Sequence, residues 1–380
     1  TADTLIGDNG QIDFIEGQVS HIFTTDTSEA TGGADQISAH AGNDIILGGV
    51  NGSSDVLAGG NGNDIILGDN GELIYDDATD PDTSTLDIIR SFVDGLGGAD
   101  NITGNAGSDI IIGGTSGDTL YGDDATASAG SADLGDFILG DNGDFILTDN
   151  AIATIETTDV NDLHETYGGA DSISGNAGDD VILGGVNDGG VDAIQGNAGL
   201  DVILGDNGFL AYNSLTDPDL ATLDYVSTQN VLRGGADLIL GNEDADLILG
   251  GTDGDRILAG ANDDIVFGDH GDIQLLQNTP RLIRTIERTK GGADTIFGDT
   301  GEDVLVGGAF ADLVDGDLGR DLVFGDNVTL DRLATAAFVD FTDPRFRLLR
   351  PQGGNTVNEL RLYGTGLDGN NAGEVLVDLA

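Results

Sequence analysis

Aspartate recurs in this chain at nine-residue steps, and so short a period leaves few folds open. Asp237, Asp246, Asp255 and Asp264 are nine apart, as are Asp294, Asp303, Asp312 and Asp321. The series also runs through Asp35, Asp44, Asp55 and Asp64, with two residues inserted in the middle, and through Asp171, Asp180, Asp192 and Asp201, with three. Asp100, Asp109, Asp118 and Asp136 complete it, the last interval doubled. With Asp3 these make 21 aspartates, and the residue two places after each is Leu, Ile or Val. The Gly-rich half of a repeat, as in Ala41-Gly42-Asn43-Asp44, permits a tight turn with positive φ. The three residues after the Asp form a short strand whose middle side chain points inward. A strand, a turn, a returning strand and a second turn take about 18 residues, so alternate turns stack one above another. Asp44 then lies near Asp64, and Asp237 near Asp255. Stacked carboxylates ringed by turn carbonyls either repel or share a cation.

A larger repeat is superimposed. Gly-Gly-Ala-Asp begins at Gly32, Gly97, Gly168, Gly234 and Gly291. Gly-Asp-Asn-Gly begins at Gly7, Gly68, Gly140 and Gly205, returns as Gly-Asp-His-Gly at Gly268, and ends as Gly325-Asp326-Asn327-Val328. Repeats are the first thing to weigh in assigning architecture. Residues 1–352 are therefore expected to form one continuous solenoid: a partial unit, 1–31, then five units of 57 to 72 residues at 32–96, 97–167, 168–233, 234–290 and 291–352. In residues 353–380 the Asp phase lapses, and a degenerate capping or assembly segment is expected.

Composition agrees. The chain has 59 Asp against 10 Glu, 63 Gly, no Cys and a net charge of −56. A solvating acidic surface needs neither a nine-residue phase nor a preference for the shorter acid, whereas tight turns and hard-cation sites use both. Such a polyanion repels nucleic acid and anionic membrane surfaces. No apolar run approaches the ~20 residues of a membrane span, and without Cys there is no disulfide framework or thiolate metal site.

The repeat resembles the RTX nonapeptide, G-G-x-G-x-D-x-U-x. Gly60-Asn61-Gly62-Asn63-Asp64-Ile65-Ile66-Leu67 and Gly104-Asn105-Ala106-Gly107-Ser108-Asp109-Ile110-Ile111-Ile112 are good matches. The resemblance implies an all-β parallel β-roll (β-solenoid) whose turns bind Ca²⁺ through Asp and backbone carbonyls. On that reading the ligands are the twenty aspartates from Asp35 to Asp321, with the corner aspartates Asp69, Asp141, Asp206, Asp269 and Asp326. The first repeat of each unit, with its Gly-Gly-Ala-Asp, is two residues short of the full turn and is expected to bind weakly or differently. A chain of this charge is expected to be largely unfolded without calcium.

The residues flanking the inward position carry a second signal. In the second and fourth repeats of each unit they are mostly apolar (Ile45 and Leu47, Ile65 and Leu67, Phe137 and Leu139); in the first and third they are more often polar or small (Gln36 and Ser38, Asn101 and Thr103). Alternate repeats occupy opposite sheets, so one sheet is apolar on both faces and must be covered. The inserts after each corner read as β-hairpins, for example Leu73-Ile74-Tyr75 and Ile88-Ile89 around Asp80-Pro81-Asp82. A hairpin and two coils are both about 10 Å wide, so one hairpin per unit is commensurate and the hairpins are expected to form a third sheet. Independent mobile loops, or cover by a neighbouring molecule, are the alternatives.

No enzyme signature emerges. His164-Glu165-Thr166-Tyr167-Gly168 lacks the second His of a zinc-protease helix, and Gly114-Thr115-Ser116-Gly117-Asp118 lacks the last Gly of a nucleophile elbow. His270 replaces Asn in a corner, so its role is read as structural. Bases gather late: Arg281, Arg284, Arg288 and Lys290 lie in one insert, and Arg345, Arg347 and Arg350 in the last. They are solvated faces or partners for the acidic end of another copy. The chain begins inside a nonapeptide, without an initiator Met or signal peptide, and is read as a mature or excised piece. Solenoid ends expose strand edges, so further protein on the N-terminal side or end-to-end self-association is expected. The functional expectation is a calcium-stabilised structural module of a bacterial surface or extracellular protein, such as an adhesin stalk, S-layer or filament subunit. Resemblance to RTX proteins implies type I secretion in an unfolded state. The alternative is the C-terminal folding module of a secreted hydrolase.

Overall fold

The computed structural model describes residues 1–331, apart from 29, 51–53, 78–81, 93–94, 125–133, 160–166, 188–189, 215–216 and 218, and the backbone of three later strands, Leu349–Pro351, Asn358–Leu360 and Val375–Val377. The described secondary structure is all β, with three large sheets of 12, 11 and 11 strands. Two of them are the walls of a parallel β-roll. The core sheet holds three-residue strands such as Ile45–Leu47, Ile65–Leu67 and Ile110–Ile112. The outer sheet holds mostly longer ones such as Gln36–Ala41, Val56–Asn61 and Asn101–Ala106. Pairing within both walls is parallel and in register up to Leu322–Phe324, Ile46 opposite Ile66 and Ile66 opposite Ile111.

The inward residues fill the roll. Ile46, Ile66, Ile111, Ile138, Ile182 and Ile203 of the core sheet are fully buried against Leu57, Ile102, Leu120 and Ile173 of the outer sheet. Outward flanks of the outer sheet, Gln36, Ser38 and Asn101, are exposed.

The inserts form the third sheet, antiparallel throughout. Five hairpins build it, with strands beginning at Gly10, Gly71, Gly143, Gly208 and Gly271, and Thr329–Asp331 adds a last strand. One cross-strand row runs through Ile22, Leu73, Ile89, Phe145, Ile155, Leu210, Val226, Ile273, Ile283 and Leu330. All are buried, in one cluster with Leu47, Leu67, Ile112, Leu139, Leu183, Leu204, Leu249 and Phe267 of the core sheet. Leu67 is 1% exposed and Leu73 0%, so the apolar face is covered within the chain rather than by loose loops or a neighbour. The closing Gly of the corner lets the layers meet. A Cβ on Gly143 would run into Leu139 Cδ2, and one on Gly71 into Leu67 Cδ2.

Two of the scarce bases are committed within this sheet. Arg90 forks onto Asp144, with Nε 2.9 Å from both carboxylate oxygens, and Arg284 lies 2.5 Å from Asp272. At the C-terminal edge of the core sheet Val375–Val377 pairs antiparallel with Leu322–Phe324.

The packing makes a direct prediction. Phe145→Ala should destabilise the calcium-loaded chain by about 3–5 kcal/mol in denaturant unfolding, whereas Phe14→Ala, at a side chain 61% exposed, should stay within ~0.5 kcal/mol. Equal effects would show that the hairpin sheet does not pack on the roll.

Candidate metal centres

Each aspartate of the nine-residue series begins a strand, and each points along the stack. The backbone N–H of Asp44 donates to Oδ1 of Asp64 at 2.8 Å, Asp64 to Asp109 at 2.7 Å, Asp109 to Asp136 at 2.8 Å and Asp136 to Asp180 at 2.7 Å. That column continues through Asp201, Asp246, Asp264, Asp303 and Asp321. A second column on the other edge links Asp35, Asp55, Asp100, Asp118, Asp171, Asp192, Asp237, Asp255, Asp294 and Asp312 in the same way. All twenty strand-initiating aspartates expected as ligands thus lie in two ladders, with Asp3 heading the first.

One oxygen of each is thereby used. The other, Oδ2, is buried and accepts no hydrogen bond at Asp35, Asp44, Asp64, Asp100, Asp118, Asp136, Asp171, Asp180, Asp192, Asp201, Asp237, Asp246, Asp255, Asp264, Asp294, Asp303 and Asp312. Burying an unpaired carboxylate oxygen is costly unless a cation meets it. Burial accordingly drives nine of these groups up from the usual carboxylate range: Asp100, Asp192, Asp201, Asp294 and Asp303 to about 7, Asp180 and Asp264 to about 8, Asp246 to about 9 and Asp136 to about 10. The neighbouring ladder carboxylates push several of them further the same way.

Glycine supplies what surrounds Oδ2. A Cβ built on Gly205 would lie 2.5 Å from Asp237 Oδ2 and 2.6 Å from the Gly250 carbonyl oxygen. On Gly307 the neighbours are Asp312 Oδ2 at 2.5 Å and Gly325 O at 2.7 Å; on Gly7 they are Asp35 Oδ2 and Gly48 O, both at 2.5 Å. The opposite edge repeats the pattern, with Asp303 Oδ2 at 2.5 Å and Gly316 O at 2.9 Å around Gly298. No carbon tolerates such neighbours, so only glycine lets the Asp Oδ2 and the next coil's carbonyl oxygen converge here. Among the described residues no three carboxylate or imidazole side chains converge as a metal cluster. A cation here would be held by one carboxylate per turn and by backbone carbonyls, a donor set that suits Ca²⁺ and not Zn²⁺.

The corner aspartates accept backbone N–H groups from later turns, and Asp141 Oδ1 stays buried without a hydrogen bond. Asp69 accepts the Gly98 N–H at Oδ1 (3.1 Å) and the Thr115 N–H at Oδ2 (2.6 Å). Asp206 binds the Gly235 N–H at 2.9 Å and also the Thr252 N–H, and Asp269 binds the Gly292 N–H at 2.8 Å and also the Ala309 N–H. Asp141 takes the Val186 N–H. Gly98, Gly235 and Gly292 are the second residues of Gly-Gly-Ala-Asp, so the short first turn of these units is completed by a carboxylate from the preceding corner. Asp326 is exposed at the C-terminal end. Each corner aspartate falls five residues, not nine, after the last ladder aspartate of its unit and stands before Asn or His rather than before an aliphatic strand, which is the distinguishing signal.

His270 is buried, and burial pushes it down to about 4, so it is neutral at pH 7. Its carbonyl accepts the Ile286 N–H at 3.0 Å, as Asn142 accepts Thr158 and Asn207 accepts Gln229 at the equivalent corners, which fits the structural role. His164, Glu165 and Thr166 lie outside the described residues.

Fold and ladders together define a parallel β-roll with a carboxylate at the turn on each edge of its coils. The family model of the RTX calcium-binding nonapeptide repeat matches residues 24–51, 50–72, 94–125, 158–189, 232–257, 240–272 and 297–327. The chain is an RTX calcium-binding repeat protein. No curated protein matches it.

Two predictions follow from the geometry. Gly205→Ala should remove one bound calcium from the stoichiometry measured by equilibrium dialysis, because the methyl group occupies the space between Asp237 Oδ2 and Gly250 O; an unchanged stoichiometry would exclude that site. The second concerns pH. The nine ladder carboxylates raised by burial titrate higher in the metal-free fold than the ~4 of an unfolded chain. Their contribution to stability is fully present below pH ~4 and is lost as pH rises through about 7 to 10. In chelator, β-structure by circular dichroism should therefore be greater at pH 4.5 than at pH 7.5.

Proposed function

We propose that this chain is a calcium-gated structural scaffold of the bacterial exterior, largely unfolded when metal-free and a stiff three-sheet roll where calcium is millimolar. The observation that carries this reading is the run of buried, unpartnered Oδ2 atoms along both edges. A roll that buries so many carboxylates at neutral pH needs an equal number of nearby positive charges, and a chain with 13 bases and 69 acids has few to offer. Calcium is the counter-ion whose chemistry fits, and its low cytoplasmic level would keep the chain unfolded for passage through a type I secretion channel. The 12-stranded core sheet makes a rod about 50 Å long, and a continuous rod with no break between units suits a stalk, surface layer or filament subunit. The ladders supply metal binding and register rather than a reaction centre.

Circular dichroism and electron microscopy test the proposal together. In chelator at pH 7.5 the spectrum should be that of a disordered chain; millimolar calcium should produce a β spectrum, and magnesium should not. Micrographs of the calcium form should show rods, fibres or lattices. A β spectrum unaffected by chelator would overturn the gating, and compact monomeric globules in calcium would overturn the scaffold role.

A further inference from the structure

Each hairpin returns to its own corner, where one residue gives its N–H to the carbonyl of the corner Asn or His. The pairs are Thr25 to Asn9, Phe92 to Asn70, Thr158 to Asn142, Gln229 to Asn207 and Ile286 to His270. The residue that follows is Asp26, Val93, Asp159, Asn230 and Glu287 in turn. A second acid therefore arrives at the corner only in the three hairpins with two-residue turns.

At the corner formed by Asp141 and Asn142 this acid is shut in. Asp159 is 0% exposed, and Asp141 and Asn142 are 1%. Asp159 accepts the Asn142 N–H at 3.1 Å and Nδ2 at 3.4 Å. Burial, then the charges of Asp171 and Asp159, hold Asp141 well above the usual carboxylate range. Asp141 also differs from Asp69, Asp206 and Asp269, whose Oδ1 atoms each accept a glycine N–H. Three oxygens are buried here without a hydrogen bond: Asp141 Oδ1, Asn142 Oδ1 and Thr158 Oγ1. Neither carboxylate meets a base among the described residues. Two buried carboxylates that feel each other's charge are costly without a cation between them.

We infer that a calcium ion separate from both ladders binds at this corner, held by Asp141, Asp159 and the side-chain oxygens of Asn142 and Thr158. Carboxylate, amide and hydroxyl oxygens are donors that suit Ca²⁺. The inference rests on the calcium reading above and adds a different kind of site. Its donors come from two layers, the corner of the roll and the returning hairpin, so the ion ties the third sheet to the roll.

The sequence carries the same donor set twice. Asp8, Asn9, Thr25 and Asp26 repeat Asp141, Asn142, Thr158 and Asp159. There Asp26 accepts the Asn9 N–H at 2.9 Å and Nδ2 at 2.8 Å, and Asp8 Oδ2 is buried without a hydrogen bond. At the third such hairpin the set is lost together: His270 stands for Asn, Ile286 for Thr, and Glu287 is exposed. That corner should hold no ion of this kind.

Native mass spectrometry of the full chain, at calcium just sufficient to saturate it, counts bound ions one by one. Asp159→Asn and Asp26→Asn should each lower the count by one and the double variant by two, with the circular dichroism spectrum retained. Glu287→Gln should leave the count unchanged. Asp26 is only partly buried, so its variant decides the matter if Asp159→Asn does not fold. A full count in the variants that fold would overturn the corner site and leave the ladders standing. A count lowered equally by Glu287→Gln would overturn it too, because the loss would then follow net charge rather than this donor set. A wild-type chain that binds no calcium would refute the ladder reading itself.

Discussion

Two columns of aspartates, each accepting the backbone N–H of the aspartate one coil back, run the length of the roll. That single hydrogen bond fixes the rest. It starts every strand at the same height, so the aliphatic residue two places on always meets its counterpart in the next coil. It also turns Oδ2 inward, towards the carbonyls of neighbouring coils. Carboxylates repeat about every 5 Å along each edge, and in a low-dielectric turn their mutual repulsion is several-fold stronger than in water. The glycines belong to the same constraint: where an oxygen and a cation must sit against the backbone, a side chain has no room.

The corner tetrad transmits that constraint to the other two layers. Gly68 ends a core strand, and the next residue, Asp69, holds the Gly98 and Thr115 N–H groups of turns that lead into the outer sheet. Asn70 then receives the Phe92 N–H from the returning strand of the hairpin at 2.9 Å. Four residues therefore join core wall, outer wall and hairpin sheet. Docking of the hairpins and ordering of the metal turns are thus parts of one cooperative event, and a roll without its third sheet would expose Leu47, Leu67, Ile112 and their successors to water.

Much of this was legible in the sequence because the physics is periodic. A nine-residue phase in Asp and an aliphatic residue two places later dictated paired parallel walls, and the contrast between Ile45/Leu47 and Gln36/Ser38 identified the wall needing cover. The matching widths of hairpin and double coil pointed to the third sheet. The different employment of Asp69 and Asp100 was only half legible: Asp69 stands before Asn-Gly and Asp100 before a strand, but the N–H donors that reach each from distant turns leave no mark in the sequence. Also hidden was a doubling of the hairpin period. Asp149-Asn150 and Gln277-Asn278 adopt positive φ in tight turns, the twist-matched form that two-residue hairpins favour. Asn150 and Asn278 then cap the Leu86 and Leu223 N–H groups of the preceding Pro-bearing insert at 2.7 and 2.6 Å. Those partners are 64 and 55 residues away in the chain, beyond any local pattern.

The units differ in length by up to fourteen residues, yet the ladder spacing is constant, and the reason lies in what sets the register. In a two-sided sheet a slip of one residue would turn every inward side chain outward, so a variable loop ought to be hazardous. Here the interval from Asp118 to Asp136 is twice the usual nine, yet the Asp109 N–H still meets Asp136 Oδ1 at 2.8 Å, and Ile111 still faces Ile138. Register is decided after each insertion by the first aspartate that can be reached by the one below, and the loop that delivers it has no vote. An architecture built this way can accept hairpins, long turns or new binding segments at any corner, provided each rejoins the roll through an aspartate followed by its aliphatic strand.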